Sequence, residues 1–209
     1  MPAFTSDVEA IRKRARKKIE DGAVTDAYKG DVHKTIDILN DALATEIVCV
    51  LRYMHHYFMA TGVHAMSVRD EFKEHADAER GHADMIADRI QQLGGKPDFN
   101  PKGLLERSAS QYVEGASLAD MVREDLIAER IVIEVYSDMI RHFGNNDPTT
   151  RIMVEKILRD EEARQRLERS AVHYRSADGT DRRAGPGDGS PASAEEAERS
   201  CSAAQLLSS

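Results

Sequence analysis

The stretch HADAERGHADMIADRIQQLGG, residues 75–95, decides the fold of this chain. Its apolar residues recur every three or four positions, which is the period of one face of an α-helix. Glu79 lies on this face and His82 follows one turn later, so the two side chains project to the same side. Gly94 and Gly95 close the stretch, as is typical of a helix C-terminus. The stretch therefore predicts an amphipathic helix that carries a carboxylate and an imidazole towards the core.

Three further segments have the same helical period, and together the four predict an all-α bundle. One covers residues 31–60, one begins near Ser117 and one begins near Pro148, while the opening stretch belongs to a helix over 67–93. The connection at 96–117 breaks the period with two prolines. Two antiparallel hairpins joined by such a long crossover make a four-helix bundle in which the second and third helices run parallel.

The composition agrees with this fold and excludes several classes of protein. The 209 residues include no tryptophan, only 5% aromatic residues and 32% charged residues, which suits long amphipathic helices. The net charge of −8 argues against a surface that coats nucleic acid throughout. Two distant cysteines, Cys49 and Cys201, offer neither a disulfide framework nor a paired-cysteine zinc site and favour a reducing compartment. Without an apolar leader or a long apolar run, we expect a cytoplasmic protein with no membrane partner.

The domain organisation follows from the same patterns. Residues 1–30 form a basic extension with a short helix predicted over 6–20. Residues 31–173 form the bundle. Residues 174–209 are rich in Gly, Ser, Ala and Arg and are predicted to be disordered.

Each predicted bundle helix carries one glutamate on its apolar face. Besides Glu79, these are Glu46, Glu129 and Glu161. A single glutamate of this kind usually reaches solvent at the edge of the face, because a lone buried carboxylate costs several kcal/mol. Four at matching depth are harder to explain in that way, since Glu46 precedes Glu79 by 33 positions and Glu129 precedes Glu161 by 32. A glutamate from two helices and Glu-x-x-His motifs from the other two indicate a carboxylate-bridged di-metal site, suited to iron or manganese.

Four stretches, at 39–53, 75–95, 124–144 and 157–162, resemble the four helices of bacterioferritin and its mini-ferritin-type relatives. The resemblance covers about residues 31–162. It implies a ferritin-like four-helix bundle that binds Fe(II), oxidises it with O₂ or peroxide at a di-iron ferroxidase centre, and stores the product in a homo-oligomeric shell. Shell size and the choice between iron and manganese stay open.

The resemblance also implies roles for individual metal ligands. Glu46 and Glu129 correspond to the terminal carboxylates of the di-iron centre, and Glu79 and Glu161 correspond to the bridging ones. His82 corresponds to the first imidazole ligand.

Two further positions bear on catalysis and on haem. Tyr53 resembles the tyrosine beside the ferroxidase centre, although a core aromatic residue with a satisfied hydroxyl would fit the pattern equally well. Haem-binding bacterioferritins have a methionine directly after the bridging glutamate of the second helix. Arg80 stands there in this chain, so we expect no haem.

The chain departs from the family at Arg164, where the second Glu-x-x-His motif requires a histidine. A guanidinium cannot deprotonate, so it would weaken the second metal position or replace it with an internal arginine–carboxylate bridge. The surrounding pattern suggests a second hypothesis, because the core face turns polar at 164, 165 and 168 and lysine disappears after Lys156. Loss of two bases from glutamate codons after Glu162 would account for this change, since reading one base later permits a histidine followed by an amphipathic helix. The nucleotide sequence tests that hypothesis.

Two alternative functions remain open. The basic segment IRKRARKKIE, residues 11–20, resembles the arms of DNA-protecting mini-ferritins, although the acidic net charge favours a solvated helix at an oligomer surface. The second alternative is a structural bundle whose catalysis is impaired by Arg164. The spacing of four further histidines marks no site, so they are interpreted as surface, interface or accessory iron positions, and the thiol at position 49 is interpreted as a packed side chain. Those histidines are His55, His56, His64 and His75.

Overall fold

The computed structural model describes residues 7–19, 22, 24–62 and 65–177. This part of the chain is helical, which confirms the predicted all-α bundle with its short N-terminal helix. Its helices are α1 (Val8–Lys17), α2 (Val32–Met59), α3 (Met66–Gln92), α4 (Leu104–Arg107), α5 (Leu118–Phe143) and α6 (Pro148–Ala177).

The long helices begin and end close to the predicted positions because local signals fix them. The Asp31 side chain caps α2 by accepting a hydrogen bond from the Lys34 backbone N–H at 3.1 Å. After α3, Gly94 adopts a left-handed conformation with φ of 80°, and the Gly95 N–H donates to the Ile90 carbonyl at 2.9 Å. Helix α6 continues to Ala177, past the predicted start of the tail at 174. The remainder of that predicted tail lies outside the described residues.

The core of the bundle is built from all four long helices. Fully buried aliphatic side chains line their facing sides, as the apolar stripes predicted. Representative members are Leu39, Leu43, Ile86, Ile90, Val132, Val154 and Ile157. The inward glutamates are buried together with these side chains.

A buried ionic network holds the crossover between α3 and α5 against the bundle. Arg52 of α2 donates to Asp125 of α5 at 2.8 Å, and to the Ser110 hydroxyl in the crossover at 2.8 Å. His56 hydrogen-bonds to Asp125 at 2.8 Å through Nδ1 and donates to the Val113 carbonyl at 3.1 Å through Nε2. The interpretation of His56 as a surface, interface or accessory iron position is therefore wrong, because its ring is fully buried in this network.

The segment before α2 contacts the loop between α5 and α6. The Tyr28 hydroxyl donates to Asp147 at 2.9 Å, and Arg89 at the end of α3 donates to the same carboxylate at 3.0 Å. Helix α1 has no buried residue. Among the described residues, no helix has the length and apolar content that crossing a membrane requires.

Candidate metal centre

Four of the predicted ligands meet inside the bundle. Glu46 projects from α2, Glu79 and His82 from α3, and Glu161 from α6. One ligand atom from each lies within 4.8 Å of all the others, and all four residues are buried. The helical period brings them together, because each side chain occupies an inward position of its own helix.

The imidazole of His82 faces the carboxylates through one nitrogen. Its Nδ1 lies 3.0 Å from Glu79 Oε2, 3.1 Å from Glu161 Oε1 and 3.6 Å from Glu46 Oε2. Its Nε2 lies 3.5 Å from Asp160 Oδ2, on the solvent side of the ring. A carboxylate at Nε2 favours the tautomer that leaves the Nδ1 lone pair available to a cation.

Arg164 lies on the other side of Glu79 and Glu161. Its Nη2 donates to Glu79 Oε1 at 2.9 Å and also donates to Glu161 Oε1. Its Nε lies 4.0 Å from Glu129 Oε1. This is the internal arginine–carboxylate bridge that the sequence offered as one outcome of the missing histidine.

The fifth predicted ligand, Glu129, lies outside the close group of four. Its Oε1 accepts a hydrogen bond from the Tyr53 hydroxyl at 3.0 Å and lies 3.9 Å from His75 Nδ1. Glu129 is buried, so a negative charge on it is stabilised by these neighbours and by the nearby guanidinium of Arg164 rather than by water.

Sequence reasoning missed three neighbours of the site. The Tyr136 hydroxyl donates to Glu46 Oε1, Asp160 contacts His82, and His75 lies beside Glu129. A signal for Tyr136 was present in the sequence. Tyr136 follows Glu129 by two helical turns, just as Tyr53 follows Glu46. Asp160 and His75 carried no comparable signal, since their roles depend on contacts between helices.

The contacts shift the pKa values of the cluster in opposite directions. Burial disfavours a charged His82, but hydrogen bonds to Glu161 and two further glutamates outweigh it and raise the pKa of the ring to about 12. Burial also disfavours ionised Glu79, yet the charge of Arg164 and the hydrogen bond with His82 lower its pKa to about 2. Burial and the charge of Glu79 raise the pKa of Glu46. A metal cation would therefore have to compete with the proton on His82 Nδ1, the nitrogen that faces the carboxylates.

The donor set suits one cation position well and a second one poorly. Carboxylate oxygens with one imidazole are ligands that iron and manganese accept, and the close group of four supplies them. On the other side of Glu79 and Glu161 lies the Arg164 guanidinium, which has no lone pair to offer.

Comparison with known proteins connects this geometry to a family. The family model for the ferritin-like domain matches residues 36–170. The chain belongs to the ferritin-like family. The family model runs from residue 36 in α2 to residue 170 in α6 of this ferritin-like protein and includes every member of the buried cluster.

Relatives of two kinds resemble the ferritin-like chain. The bacterioferritin of Desulfovibrio desulfuricans is 28% identical over 131 residues, which cover 62% of this chain and 69% of that protein. A nutrient stress-induced DNA-binding protein of a Nostoc species is 31% identical over 129 residues, covering 60% and 70%. The solved structure of the bacterioferritin-related protein of Bacteroides fragilis, a dodecameric thioferritin, is 29% identical with a TM-score of 0.67. It covers 73% of this chain and 94% of that one.

These findings confirm the resemblance seen in the sequence. The ferritin-like protein is a distant relative of bacterioferritins and of starvation-type DNA-binding proteins, and it carries a buried glutamate–histidine cluster consistent with a metal site.

Proposed function

We propose that this ferritin-like protein binds Fe(II) at the buried cluster, transfers its electron to O₂ or peroxide, and retains the ferric product inside a homo-oligomeric shell. The observation that carries the proposal is the meeting of Glu46, Glu79, His82 and Glu161 within 4.8 Å. Burial and the charge of Glu79 raise the pKa of Glu46, and a divalent cation would relieve this repulsion. Manganese is the alternative metal, because the same hard donors accept it.

The side chains of the buried cluster and Asp160 have distinct roles in the proposed binding of Fe(II). Glu46 of α2, Glu79 and His82 of α3, and Glu161 of α6 would hold the iron. Binding displaces the proton from His82 Nδ1, since only the neutral ring can act as a ligand. Asp160 Oδ2, 3.5 Å from Nε2, favours a proton on that nitrogen and so leaves Nδ1 to the metal.

Aerobic oxidation of Fe(II), followed by the absorbance of the ferric product, tests this function. We expect His82→Ala to slow oxidation by at least about 10-fold, because changes in the ligands and their supports cost at least that much. The matched control is His142→Ala, which removes an exposed histidine from α5 and should leave the rate unchanged. Equal rates in wild type and His82→Ala would place the oxidation elsewhere in the protein.

A restored motif tests whether Arg164 limits the activity. Arg164→His recreates Glu-x-x-His from Glu161, so we expect this variant to oxidise Fe(II) faster than the wild type. Equal rates would mean that Arg164 does not impair the centre. The exposed Arg159 of α6 supplies the control variant Arg159→His.

Assembly into a closed shell is the second part of the proposal. The related protein from Bacteroides fragilis is dodecameric, and its structure matches most of this chain. Light scattering coupled to size-exclusion chromatography measures the assembly directly. A monomer at micromolar concentration would contradict storage inside a shell.

DNA binding through α1 is a second candidate function, favoured by one observation. Helix α1 exposes five basic side chains among its ten residues, and some similar proteins are DNA-binding proteins by name. Acidic neighbours oppose it, since Arg12 pairs with Glu9 and Lys18 pairs with Asp26. Filter binding should show retention of DNA at low salt that disappears at high salt. Replacing Lys13, Arg16 and Lys17 by Gln should abolish that retention, and no retention by the wild type at low salt would exclude the function.

A further inference from the structure

We infer, on the basis of the proposed function, that each subunit takes one divalent cation at the cluster, and that the Arg164 guanidinium occupies the place of a second cation. The protein would then have a mixed centre, with one exchangeable metal ion and one permanent organic cation.

The two oxygens of Glu79 divide the site into two halves. Oε2 lies 3.0 Å from His82 Nδ1, and Oε1 lies 2.9 Å from Arg164 Nη2. Glu161 Oε1 contacts both side chains, at 3.1 Å from the imidazole and in a hydrogen bond to the guanidinium. These two glutamates therefore bridge an imidazole half and a guanidinium half.

Each half has its own terminal carboxylate. Glu46 Oε2 lies 3.6 Å from His82 Nδ1 and belongs to the imidazole half. Glu129 Oε1 lies 4.0 Å from Arg164 Nε and belongs to the guanidinium half. The site thus has two cation positions that share two carboxylates. The guanidinium of Arg164 fills one of these two positions.

The chemistry of arginine makes this filling permanent. The guanidinium stays protonated at any pH at which the protein is folded, and it offers donors but no lone pair. A metal ion in the guanidinium half would have to displace Arg164 from buried carboxylates while finding no replacement ligand at position 164. His75 lies near Glu129, at 3.9 Å, but the guanidinium of Arg164 approaches the same carboxylate oxygen.

Charge compensation supports one metal ion rather than two. Arg164 and one divalent cation together neutralise three of the four carboxylates in Glu46, Glu79, Glu129 and Glu161. The fourth negative charge is stabilised by the tyrosine hydroxyls that donate to Glu46 and Glu129. A second divalent cation beside the guanidinium would give an excess of buried positive charge.

Metal stoichiometry and spin coupling test the inference without relying on activity. The metal-free full-length protein is titrated with Mn(II), bound metal per subunit is measured after equilibrium dialysis, and the electron paramagnetic resonance spectrum is recorded. We expect one ion per subunit with the hyperfine pattern of isolated Mn(II). We expect Arg164→His to bind two ions per subunit with the broadened spectrum of a coupled pair, and Arg159→His to behave as the wild type does.

The outcomes separate this inference from the proposed function. Two coupled ions in the wild type would overturn the inference and leave the Fe(II) site intact. One ion in both the wild type and a folded Arg164→His would also overturn it, because Arg164 would not be what excludes the second ion. If no variant bound any ion, the cluster would not be a metal site, and both the inference and the proposed Fe(II) site would be overturned.

A second variant covers the case in which Arg164→His does not fold. Arg164→Gln removes the positive charge without adding an imidazole, and circular dichroism verifies its helix content. We expect a second ion to bind this variant more weakly than the first, through the carboxylates alone. A strict limit of one ion in folded Arg164→Gln would count against the charge of Arg164 as the cause.

Discussion

Two tyrosines connect the inward glutamates of one hairpin to those of the other. Tyr53 follows Glu46 on α2 and Tyr136 follows Glu129 on α5, each by two helical turns. Each hydroxyl donates to the glutamate of the opposite helix, so Tyr53 bonds to Glu129 and Tyr136 bonds to Glu46. These hydrogen bonds orient both carboxylates, because a hydrogen bond to a buried charged group is stronger than one to a neutral group.

Replacing Tyr53 by Phe tests the contribution of this hydrogen bond to the reaction. Removal of the hydroxyl frees Glu129, which in turn contacts Arg164 beside Glu79 and Glu161, and the loss of such an outer contact typically lowers metal affinity or activity about 10- to 100-fold. We expect Tyr53→Phe to lower the Fe(II) oxidation rate within that range, with unchanged helix content. The control is Tyr57→Phe on the same helix, whose hydroxyl accepts a hydrogen bond from Arg69 at 3.1 Å outside the cluster. A rate equal to that of the control would make Tyr53 a packing residue only.

The positions of most site residues could be predicted from the sequence, and their contacts could not. The helical period alone determines that Glu46, Glu79 and Glu161 point inward, because each lies in register with aliphatic neighbours. The burial of Arg164 depends on carboxylates of other helices, so the sequence could offer the arginine–carboxylate bridge only as one of several outcomes at position 164. The reading-frame hypothesis for the segment after Glu162 stays a prediction.

At the scale of the elements, helix ends were predictable and the path of the crossover was not. Helix ends depend on local hydrogen bonds made by Asp31, Ser117 and the two glycines after α3. Because each of these residues bonds to a neighbour a few positions away in the sequence, the sequence pattern predicts the helix ends. The second of those glycines, Gly95, also packs so closely that an added Cβ would lie 2.8 Å from Ile36. The crossover is placed by contacts between distant residues, such as the hydrogen bond from Arg52 to Ser110. Local periodicity contains no information about such pairs.

The buried network beneath the crossover should contribute strongly to stability. Asp125→Asn removes the only carboxylate that contacts both Arg52 and His56 among the described residues. Breaking a buried ion pair by removing one partner costs about 3–5 kcal/mol, because the other charge stays buried without compensation. We expect a loss of this size in the free energy of unfolding, from urea denaturation of the metal-free protein at fixed concentration.

An exposed pair on the same helix provides the control for Asp125→Asn. Asp138 pairs with Arg141 at the surface of α5, and exposed pairs contribute about 0–1 kcal/mol. Similar losses for Asp125→Asn and Asp138→Asn would show that the network beneath the crossover does not hold the bundle together.

The contact between the N-terminal segment and the α5–α6 loop should depend on pH. Burial disfavours ionised Asp147, but hydrogen bonds from Thr150 and Tyr28 and the charge of Arg89 lower its pKa. A lowered pKa stabilises the fold fully above the unfolded value of about 3.9, and the contribution is lost as the pH falls through the native pKa. We expect Asp147→Asn to cost about 1.5–3 kcal/mol at neutral pH, and the difference from wild type to shrink only below about pH 4.

Urea denaturation of the metal-free protein across this pH range measures the effect. Asp77→Asn, at an exposed position paired with Lys73, should show a small difference at every pH. If the difference between wild type and Asp147→Asn already shrank between pH 7 and pH 5, the native pKa of Asp147 would be raised rather than lowered.

At the scale of the whole molecule, one outer face of α2 is more apolar than a solvated helix requires. Leu51 is 50% exposed and Phe58, two turns later, is 67% exposed, so both lie on the same side of the helix. Met59 and the crossover residue Tyr112 are also exposed. Exposed apolar groups that cluster in this way usually mark a contact with another protein chain. Because the protein is proposed to form a shell, we expect this apolar face of α2 to contact a second copy of the same chain.

Phe58→Glu tests whether this face of α2 joins subunits. A carboxylate buried between two copies would lose its hydration without gaining a partner, so the interface should weaken while each subunit keeps its helices. We expect light scattering to show a shift towards smaller species at micromolar concentration, with unchanged circular dichroism. His33→Glu adds the same charge at an exposed position near the start of α2 and should leave the assembly intact. An unchanged assembly in Phe58→Glu would place the subunit contacts on other helices and leave the apolar face of α2 to another partner.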